Sequence, residues 1–230
     1  MSAGIDSGAS RSQSPAVTAT CETRIGHVRA EAGPNGLRRL FLPEVDTALL
    51  LRLPLPETIR LSIARATLAP MTLLSSLGLA APIVGPERLR TEPDGAGRSA
   101  SRWAGAAPED VLASVLRDLK GFFEGDLGPQ GLRFDYPIDL TWCSDFTRRI
   151  MAGMVSIPPG AVTTYGALAA AAGSPRAARA AGSVVGANPL GVVVPCHRVI
   201  GANGALTGFG GGLALKVALL ALESAAAKKS

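Results

Sequence analysis

Cysteine and histidine are scarce in this 230-residue sequence, and their scarcity excludes whole classes of protein. The three cysteines stand at positions 21, 143 and 196, and the two histidines at 27 and 197. The cysteines lie too far apart for a disulfide framework or for the ligand spacing of a metal site. We therefore expect no bound metal and a reducing compartment, the cytoplasm.

Uninterrupted apolar runs are also missing, although 47% of the residues are hydrophobic. Residues 1–20 are rich in Ser, Ala and Gly and lack an apolar core, which predicts a disordered tail rather than a secretion signal. The stretch 61–84 is apolar, but one Arg, one Gly and two Pro residues interrupt it. A buried helix and loop is therefore preferred to a membrane span, and the sequence predicts a soluble protein with no membrane contact.

Acidic residues are rare toward the end of the chain. Residues 139–230 contain eight Lys or Arg and three Asp or Glu, which accounts for the whole formal net charge of +5. Such an asymmetry suits a polyanionic partner, because a basic surface attracts phosphates whatever their sequence. A basic domain without such a partner is the alternative.

The most informative feature that is present is a cysteine beside a base. Cys196 directly precedes His197, and the apolar run Val192–Val194 before them predicts a buried strand. An activated sulfur nucleophile requires at least a thiol and a neighbouring base, because the thiolate is the attacking species and the base takes the thiol proton. The pair by itself leaves two interpretations open, a nucleophile or two unrelated buried neighbours.

The first part of the chain predicts an α+β domain over residues 21–138. Strand-like patterns cover 25–30 and 37–42, with a Gly-Pro-Asn-Gly turn between them. Apolar residues at helical spacing predict an amphipathic helix over 110–123. Residues 43–107 are a divergent or inserted segment, and 85–107 within it is loop-like.

The second part, residues 139–230, is predicted to be mainly helical, with a candidate helix at 146–155. Thr164 is suited to cap a short helix over 165–172, which Gly173 would end. Glycine at that position favours a tight turn into whatever follows.

A second helix follows that turn. Ser174 and Pro175 supply a cap and a first-turn proline for a helix to about residue 187, with Arg176 and Arg179 near its beginning. Two helices joined by a tight turn are a candidate helix-turn-helix. The small residues of the second helix suit close approach to a DNA groove, and they suit packing against another helix equally well.

The last segments surround the cysteine. Asn188 is suited to bond neighbouring backbone groups and fix the chain before Cys196. The glycine cluster at 208–212 matches no phosphate-binding fingerprint and favours close approach of the backbone to a planar ligand. In the apolar final helix, predicted over 213–225, Glu223 is either exposed or paired with a buried base.

In order and spacing, these segments resemble the 6-O-alkylguanine-DNA alkyltransferase family, the methylated-DNA–protein-cysteine methyltransferases. The matching strings are Ile157-Pro158-Pro159-Gly160, Thr164-Tyr165-Gly166-Ala167-Leu168-Ala169, Gly173-Ser174-Pro175-Arg176-Ala177-Ala178-Arg179-Ala180, Asn188-Pro189, Pro195-Cys196-His197-Arg198-Val199, Gly211-Gly212-Leu213, Lys216 and Leu219-Leu220-Ala221-Leu222-Glu223. The sequence departs from the family at Phe209 and Gly210, where Tyr and Ser are usual.

The resemblance implies an α+β fold with an N-terminal α/β domain of ribonuclease-H-like type and a mainly helical C-terminal domain, which carries a helix-turn-helix and an active-site loop. It implies DNA repair by single-turnover transfer of an alkyl group from 6-O-alkylguanine to Cys196, with 4-O-alkylthymine as a second candidate substrate and with no cofactor. The implied partner is duplex DNA with an alkylated base, which a monomer binds through the minor groove and flips out. A bacterial member acts in the cytoplasm, at the nucleoid.

The resemblance also implies residue roles. Cys196 would attack the alkyl carbon, His197 would relay the thiol proton, and Glu223 would orient the histidine. Tyr165 would donate a hydrogen bond to the departing guanine, and Arg179 would enter the base stack. The other implied DNA-binding residues are Arg176, Thr164, Ala178 and Gly182. The implied pocket and structural residues are Asn188, Val194, Pro195, Arg198, Phe209, Gly210 and Gly211.

Three other functions remain open from the sequence. A non-catalytic sensor of alkylated DNA would bind the lesion, but sensors of this kind lack the cysteine that is present here. A cysteine hydrolase would need an oxyanion hole and an acyl pocket, which the sequence does not reveal. A helix-turn-helix regulator would bind DNA with an incidental cysteine.

Overall fold

The protein has a mixed α/β fold in a computed structural model that describes residues 15–64, 81–91, 103–126 and 135–227. Its regular elements, in chain order, are β1 (Val17–Thr23), β2 (Gly26–Gly33), β3 (Gly36–Phe41), α1 (Thr47–Leu50), α2 (Glu57–Ala64), α3 (Pro108–Glu124), α4 (Asp145–Val155), β4 (Thr163–Thr164), α5 (Tyr165–Ala171), α6 (Ala178–Gly186), β5 (Val199–Ile200) and α7 (Gly212–Ala227). Single 3-10 turns at Pro86–Arg88 and Cys196–Arg198 complete the described structure.

The first three strands form an antiparallel sheet in the order β1-β2-β3. Val17 pairs with Ala32 across β1 and β2, and a register shift at Glu31 and Ala32 marks a bulge opposite β3. The predicted turn between β2 and β3 is confirmed. Gly36 has φ +115°, a left-handed conformation that glycine adopts readily.

Helix α3 covers one face of this sheet. Its apolar residues recur at helical spacing and are buried, as the sequence predicted for 110–123. The helix begins earlier than expected because Pro108 occupies its first turn, and the Asp110 carboxylate accepts a hydrogen bond from the Ala107 backbone. Gly125, with φ +78°, ends it.

The prediction of a disordered tail over 1–20 is wrong for its last residues. Val17, Ala19 and Cys21 face the core while Thr18 and Thr20 face solvent, an alternation that pairs β1 with β2. Residues 1–14 lie outside the described residues.

Residues 43–107 contain more structure than the sequence revealed. Asp46 caps α1 by accepting from the Leu49 N–H at 2.8 Å, and α2 ends at Ala64. The rest of the predicted buried helix and loop at 61–84 falls largely on 65–80, outside the described residues. Where 85–107 is described, it carries turns only before α3 begins.

Helices α4, α5, α6 and α7 make the C-terminal half mainly helical, and β4 and β5 form a short parallel pair. Thr164 caps α5 as predicted, because its hydroxyl accepts from the Ala167 N–H at 3.1 Å. Gly173, with φ +78°, follows the end of that helix. None of the helices in the described ranges has both the length and the apolar character that a membrane span requires.

Helix α6 begins three residues later than predicted. The Ala177 N–H donates to the Ser174 carbonyl at 2.9 Å, so Pro175 and Arg176 lie in a turn. A Ser-Pro pair favours such a turn as readily as a helix cap. Arg176 is therefore outside the helix, whereas Arg179 is in its first turn.

Candidate active site

Cys196 lies on a single 3-10 turn that leads directly into β5. The residue is 6% exposed. β5 pairs in parallel with β4, with Thr163 beside Val199 and Thr164 beside Ile200. The strand that follows the cysteine turn therefore lies beside the strand that leads into α5.

Val192–Val194 are buried as predicted, but the prediction of a strand there is wrong. Val194 donates its N–H to the Leu190 carbonyl at 2.8 Å, and Val192 has φ +76°. The Asn188 side chain closes this turn, donating from Nδ2 to the Val194 carbonyl at 2.8 Å and accepting at Oδ1 from the Leu190 N–H at 3.0 Å. Because these bonds are satisfied within the turn, the run has no extended ladder to join.

His197 and Arg198 both contact one buried carboxylate on α7. Nε2 of His197 lies 2.8 Å from Oε1 of Glu223. Nε of Arg198 donates to both carboxylate oxygens at 3.0 Å, and Nη2 donates to Oε1 at 2.6 Å. Arg198 also donates from Nη1 to the Ile157 carbonyl at 2.6 Å. Glu223, which the sequence left as exposed or paired, is paired.

The protonation states in this cluster follow from burial and charge. Burial opposes ionisation of Glu223, but His197 and Arg198 outweigh it and lower its pKa to about 2. Burial lowers the pKa of His197 below its ordinary value, against the opposing effect of Glu223. At neutral pH a neutral imidazole therefore donates from Nε2–H to an ionised carboxylate.

This arrangement leaves the other ring nitrogen of His197 with a free lone pair. Nδ1 is buried and has no hydrogen-bond partner among the described residues. With the proton held on Nε2, Nδ1 is the basic atom of the ring. His197 thus presents a proton acceptor within the same turn as Cys196.

Cys196 also lies near a buried ammonium group. Nζ of Lys216 donates to the Val199 carbonyl at 2.7 Å and to the Thr207 carbonyl at 2.9 Å. Burial lowers the pKa of Lys216 to about 8, so the group remains cationic at neutral pH. Burial raises the pKa of the Cys196 thiol, and the Asn188 side chain and the charge of Lys216 act against that increase.

Tyr165 is the first residue of α5 and is half-buried. Its hydroxyl lies 3.2 Å from Oγ1 of Thr207. On its other side the ring lies against α6, where a Cβ at Gly182 would be 3.7 Å from the ring. That distance is an ordinary van der Waals contact, so the space between Gly182 and the tyrosine ring would hold an alanine methyl group.

The residues predicted to bind DNA lie on one stretch, Thr164 to Gly182. Arg176 and Arg179 are exposed, whereas Ala178 and Gly182 are half-buried. Arg149, on α4, also lies beside this stretch, since one of its guanidinium nitrogens is 3.5 Å from where a Cβ at Gly173 would be.

The glycine segment before α7 forms an exposed bend. Phe209 is half-buried, and its carbonyl accepts from the Gly212 N–H at 2.9 Å. Gly210 and Gly211 are exposed. A Cβ at Gly211 would come within 2.6 Å of Leu215 and 3.0 Å of Phe209, so a side chain does not fit there without movement.

Sequence reasoning assigned no role to Lys216 or Thr207. The sequence does hold one signal for Lys216, because it is the single cation in an apolar helix. The sequence holds no such signal for Thr207, because its contact with the Tyr165 hydroxyl forms only in the folded protein. Among the described residues, no group of three or more His, Cys, Asp or Glu side chains is placed to hold a metal ion.

Residues 145–225 match the sequence profile described as "6-O-methylguanine DNA methyltransferase, DNA binding domain". A methylated-DNA–protein-cysteine methyltransferase of Mycolicibacterium paratuberculosis is 48% identical over 113 residues, which span 49% of this chain and 66% of that protein. A protein of the same name from Mycobacterium bovis is 43% identical over 117 residues, 51% of this chain and 68% of that protein.

The crystal structure of Mycobacterium tuberculosis OGT in complex with DNA has a TM-score of 0.56 and 28% identity to this chain. The match covers 91% of this chain and 94% of that one. The fold and the site define a DNA-binding protein with a buried cysteine beside a histidine–glutamate pair. The chain belongs to the methylated-DNA–protein-cysteine methyltransferase family.

Proposed function

We propose that the protein repairs alkylated DNA by transferring the alkyl group from the oxygen of 6-O-alkylguanine to Sγ of Cys196. The observation that carries this proposal is the buried set of Cys196, His197 and Glu223. A nucleophile, a base and a group that orients the base are the set that covalent transfer requires. Membership of the family supports the same reaction and substrate class.

The geometry supports a complete path for the proton and the electrons. The thiol proton passes to Nδ1 of His197, directly or through one water molecule, and Glu223 stabilises the imidazolium that results. Sγ of Cys196 bonds to the alkyl carbon while the carbon–oxygen bond breaks. The bonding electron pair leaves with the guanine oxygen. A hydrogen bond from the Tyr165 hydroxyl to the guanine ring stabilises that charge until the base takes up a proton.

The product explains why the reaction happens once per protein molecule. Transfer to Cys196 leaves a thioether, which water does not hydrolyse under mild conditions. A cysteine hydrolase instead forms an acyl thioester, which water releases. The protein therefore repairs one lesion per molecule and needs no cofactor.

The charge of the C-terminal half supports DNA as the partner. Each acidic residue between 139 and 227 already has an arginine partner. The pairs are Asp139 with Arg38, Asp145 with Arg148, and Glu223 with Arg198. By contrast Arg149, Arg176 and Arg179 are exposed and have no carboxylate partner among the described residues. The resulting surface is positively charged, which favours contact with phosphates.

Helices α5 and α6 act in this proposal as a helix-turn-helix that enters the minor groove. The exposed side of α6 carries small residues, so its backbone approaches the DNA closely, and its side chains do not read the major groove. The alkylated base leaves the stack, because a buried thiol cannot reach it inside a duplex. Arg179 fills the space that the base leaves.

The flipped base occupies a pocket between the cysteine turn and the glycine segment 208–211. Asn188 holds the turn before Cys196, and Val194 and Pro195 form the wall of the pocket next to the thiol. Arg198 keeps Glu223 ionised. Phe209, Gly210 and Gly211 let the backbone approach the planar base.

The domain organisation is part of the proposal. Residues 21–138 form an N-terminal domain of ribonuclease-H-like type, and residues 139–230 form the domain that binds DNA and carries out the transfer. The protein is proposed to act as a monomer.

A stoichiometric titration tests the proposed function. The protein is added in steps to duplex oligonucleotide with a single 6-O-methylguanine, and restored guanine is counted by chromatography. We expect one guanine restored per protein molecule, with Cys196→Ala binding the duplex but restoring none. A sensor or a regulator would restore no guanine with the wild-type protein. A hydrolase would be recognised by repeated turnover of an ester or amide substrate.

A further inference from the structure

Thr207 occupies a position between the two groups that flank the proposed active site. It is half-buried and lies in the irregular segment between β5 and α7. Its hydroxyl donates to the Tyr165 hydroxyl at 3.2 Å. Its carbonyl accepts from Nζ of Lys216 at 2.9 Å. One residue therefore contacts both the tyrosine and the buried lysine.

The backbone of Thr207 is fixed by the contact with Lys216. Lys216 is fully buried, and its ammonium group also donates to the Val199 carbonyl in β5 at 2.7 Å. A charge-assisted hydrogen bond of this kind is stronger than one between neutral groups. Because α7 and β5 hold this ammonium group, the Thr207 side chain has a defined place opposite Tyr165.

The direction of the Thr207 hydrogen bond decides what Tyr165 can do. A phenol has one O–H to donate and also accepts. When Tyr165 accepts from Thr207, its own O–H is left for an acceptor elsewhere. The Tyr165 ring also lies beside Gly182 of α6.

We propose that Thr207 is a positioning residue, whose hydroxyl orients the Tyr165 hydroxyl so that the phenolic O–H donates to the substrate base. The inference rests on the proposed function, because it deepens the role that Tyr165 has in the transfer step. Thr207 touches neither the alkyl group nor the base; it acts through Tyr165.

The test is a double-mutant cycle on the rate of transfer. Thr207→Val removes the hydroxyl and keeps the shape, while Thr207→Ser keeps the hydroxyl. Each is made in the wild-type protein and in Tyr165→Phe. One hydrogen bond corresponds to a change of roughly three- to tenfold in rate. We expect Thr207→Val to slow transfer by that factor in the wild-type protein, and Thr207→Ser to transfer within about twofold of the wild-type rate. In the Tyr165→Phe protein, where the hydroxyl partner is already gone, we expect Thr207→Val to slow transfer by less than a further factor of about two.

Thr163→Val is the matched control. The Thr163 hydroxyl is buried and donates to the Val84 carbonyl at 2.7 Å, not to the Tyr165 hydroxyl. This variant loses a hydroxyl hydrogen bond too, so it reports the effect of general destabilisation. We expect its transfer rate to stay within about twofold of wild type.

Urea unfolding of the same variants provides a readout that needs no substrate. We expect the shifts in unfolding midpoint for Thr207→Val and Tyr165→Phe to be non-additive, since the second substitution finds the hydrogen bond already lost. Additive midpoints, failure of Thr207→Ser to rescue, or equal slowing by Thr207→Val in both backgrounds would overturn the inference. Non-additive unfolding in a protein that transfers no alkyl group would instead leave the contact intact and refute the proposed function.

Discussion

Arg198 and Glu223 form an ion pair that is almost completely closed to solvent, with Nε of the arginine 3.0 Å from both carboxylate oxygens. The same carboxylate accepts a hydrogen bond from Nε2–H of His197. One buried cation, Arg198, and one neutral donor, the His197 imidazole, therefore depend on the same acidic side chain. A carboxylate in this position has both a structural and a chemical role, and the two are separable by experiment.

Replacement of Glu223 by Gln tests both roles. Removing one partner of a buried ion pair costs about 3–5 kcal/mol, because the other charge stays buried without compensation. We expect a loss of that size in the free energy of unfolding, measured in urea. We also expect transfer to slow by about a hundredfold, the low end of what a positioned base contributes.

Glu124→Gln is the control for this substitution. Glu124 lies 4.0 Å from Lys120 on the outer part of α3, and pairs of this kind contribute less than about 1 kcal/mol. A Glu223→Gln protein as stable as this control would contradict the role given to the buried pair.

The lowered pKa of Lys216 leads us to expect that the stability of the protein changes at alkaline pH. Its pKa is about 8 in the folded protein, against the ordinary 10.5. Between these two values the unfolded chain binds more protons than the folded one, so this group increases stability as the pH rises. The experiment uses the Cys196→Ala protein, which lacks the titrating thiol, as the parent, and compares it with the same protein carrying Lys216→Met. We expect the free energy of unfolding of the parent to rise relative to that of the Lys216→Met variant between pH 8 and 10.5.

The comparison for this experiment is Lys120→Met, at an exposed position on α3. It reports how replacing a solvent-exposed lysine by methionine changes the free energy of unfolding across the same pH range. If the difference between the parent and Lys216→Met stays constant across that range, the lysine does not titrate as its burial indicates.

Arg149 predicts a measurable contribution to salt-dependent binding. Each phosphate contact that is lost reduces the slope of log affinity against log salt concentration by about 0.9. We expect Arg149→Ala, in the Cys196→Ala background, to reduce the slope by that amount. Arg148→Ala on the same helix should change it less, since Arg148 already pairs with Asp145. If the salt dependence of binding has the same slope for the Arg149 variant and its parent, Arg149 does not contact the DNA.

Arg179 predicts a difference between duplex and free substrate. Extruding a base costs a few kcal/mol, so loss of the residue that fills the stack slows reaction on duplex DNA by about tenfold or more. Free 6-O-alkylguanine needs no extrusion and should react with Arg179→Ala as fast as with wild type. Rates measured on both substrates decide this; an equal loss on the two would show that Arg179 does not act in flipping.

The sequence predicted those elements whose signals are local. Helix α5 was found because Thr164 and Gly173 are cap and stop residues whose roles depend on their neighbours in the chain. Helix α3 was found because its apolar period is long enough to exclude other structures. The proposed roles of Cys196, His197 and Glu223 came from the family resemblance, and they stay predictions.

The elements that the sequence missed depend on contacts between distant residues. A run of three valines fits a strand, but side-chain bonds from Asn188 make it a turn with Val192 at positive φ. Ser174 and Pro175 fit a helix cap and a turn equally well. The burial of Lys216 and the contact between Thr207 and Tyr165 exist only once α7 and α5 have packed.

The most direct test of the whole account is the mass of the protein after exposure to a lesion. Wild-type protein is incubated with excess duplex carrying 6-O-methylguanine, and the intact protein and its peptides are weighed. We predict a gain of one methyl group, located on Cys196, with Cys21 and Cys143 unmodified. A folded, DNA-bound protein whose Cys196 peptide keeps its original mass would contradict the account.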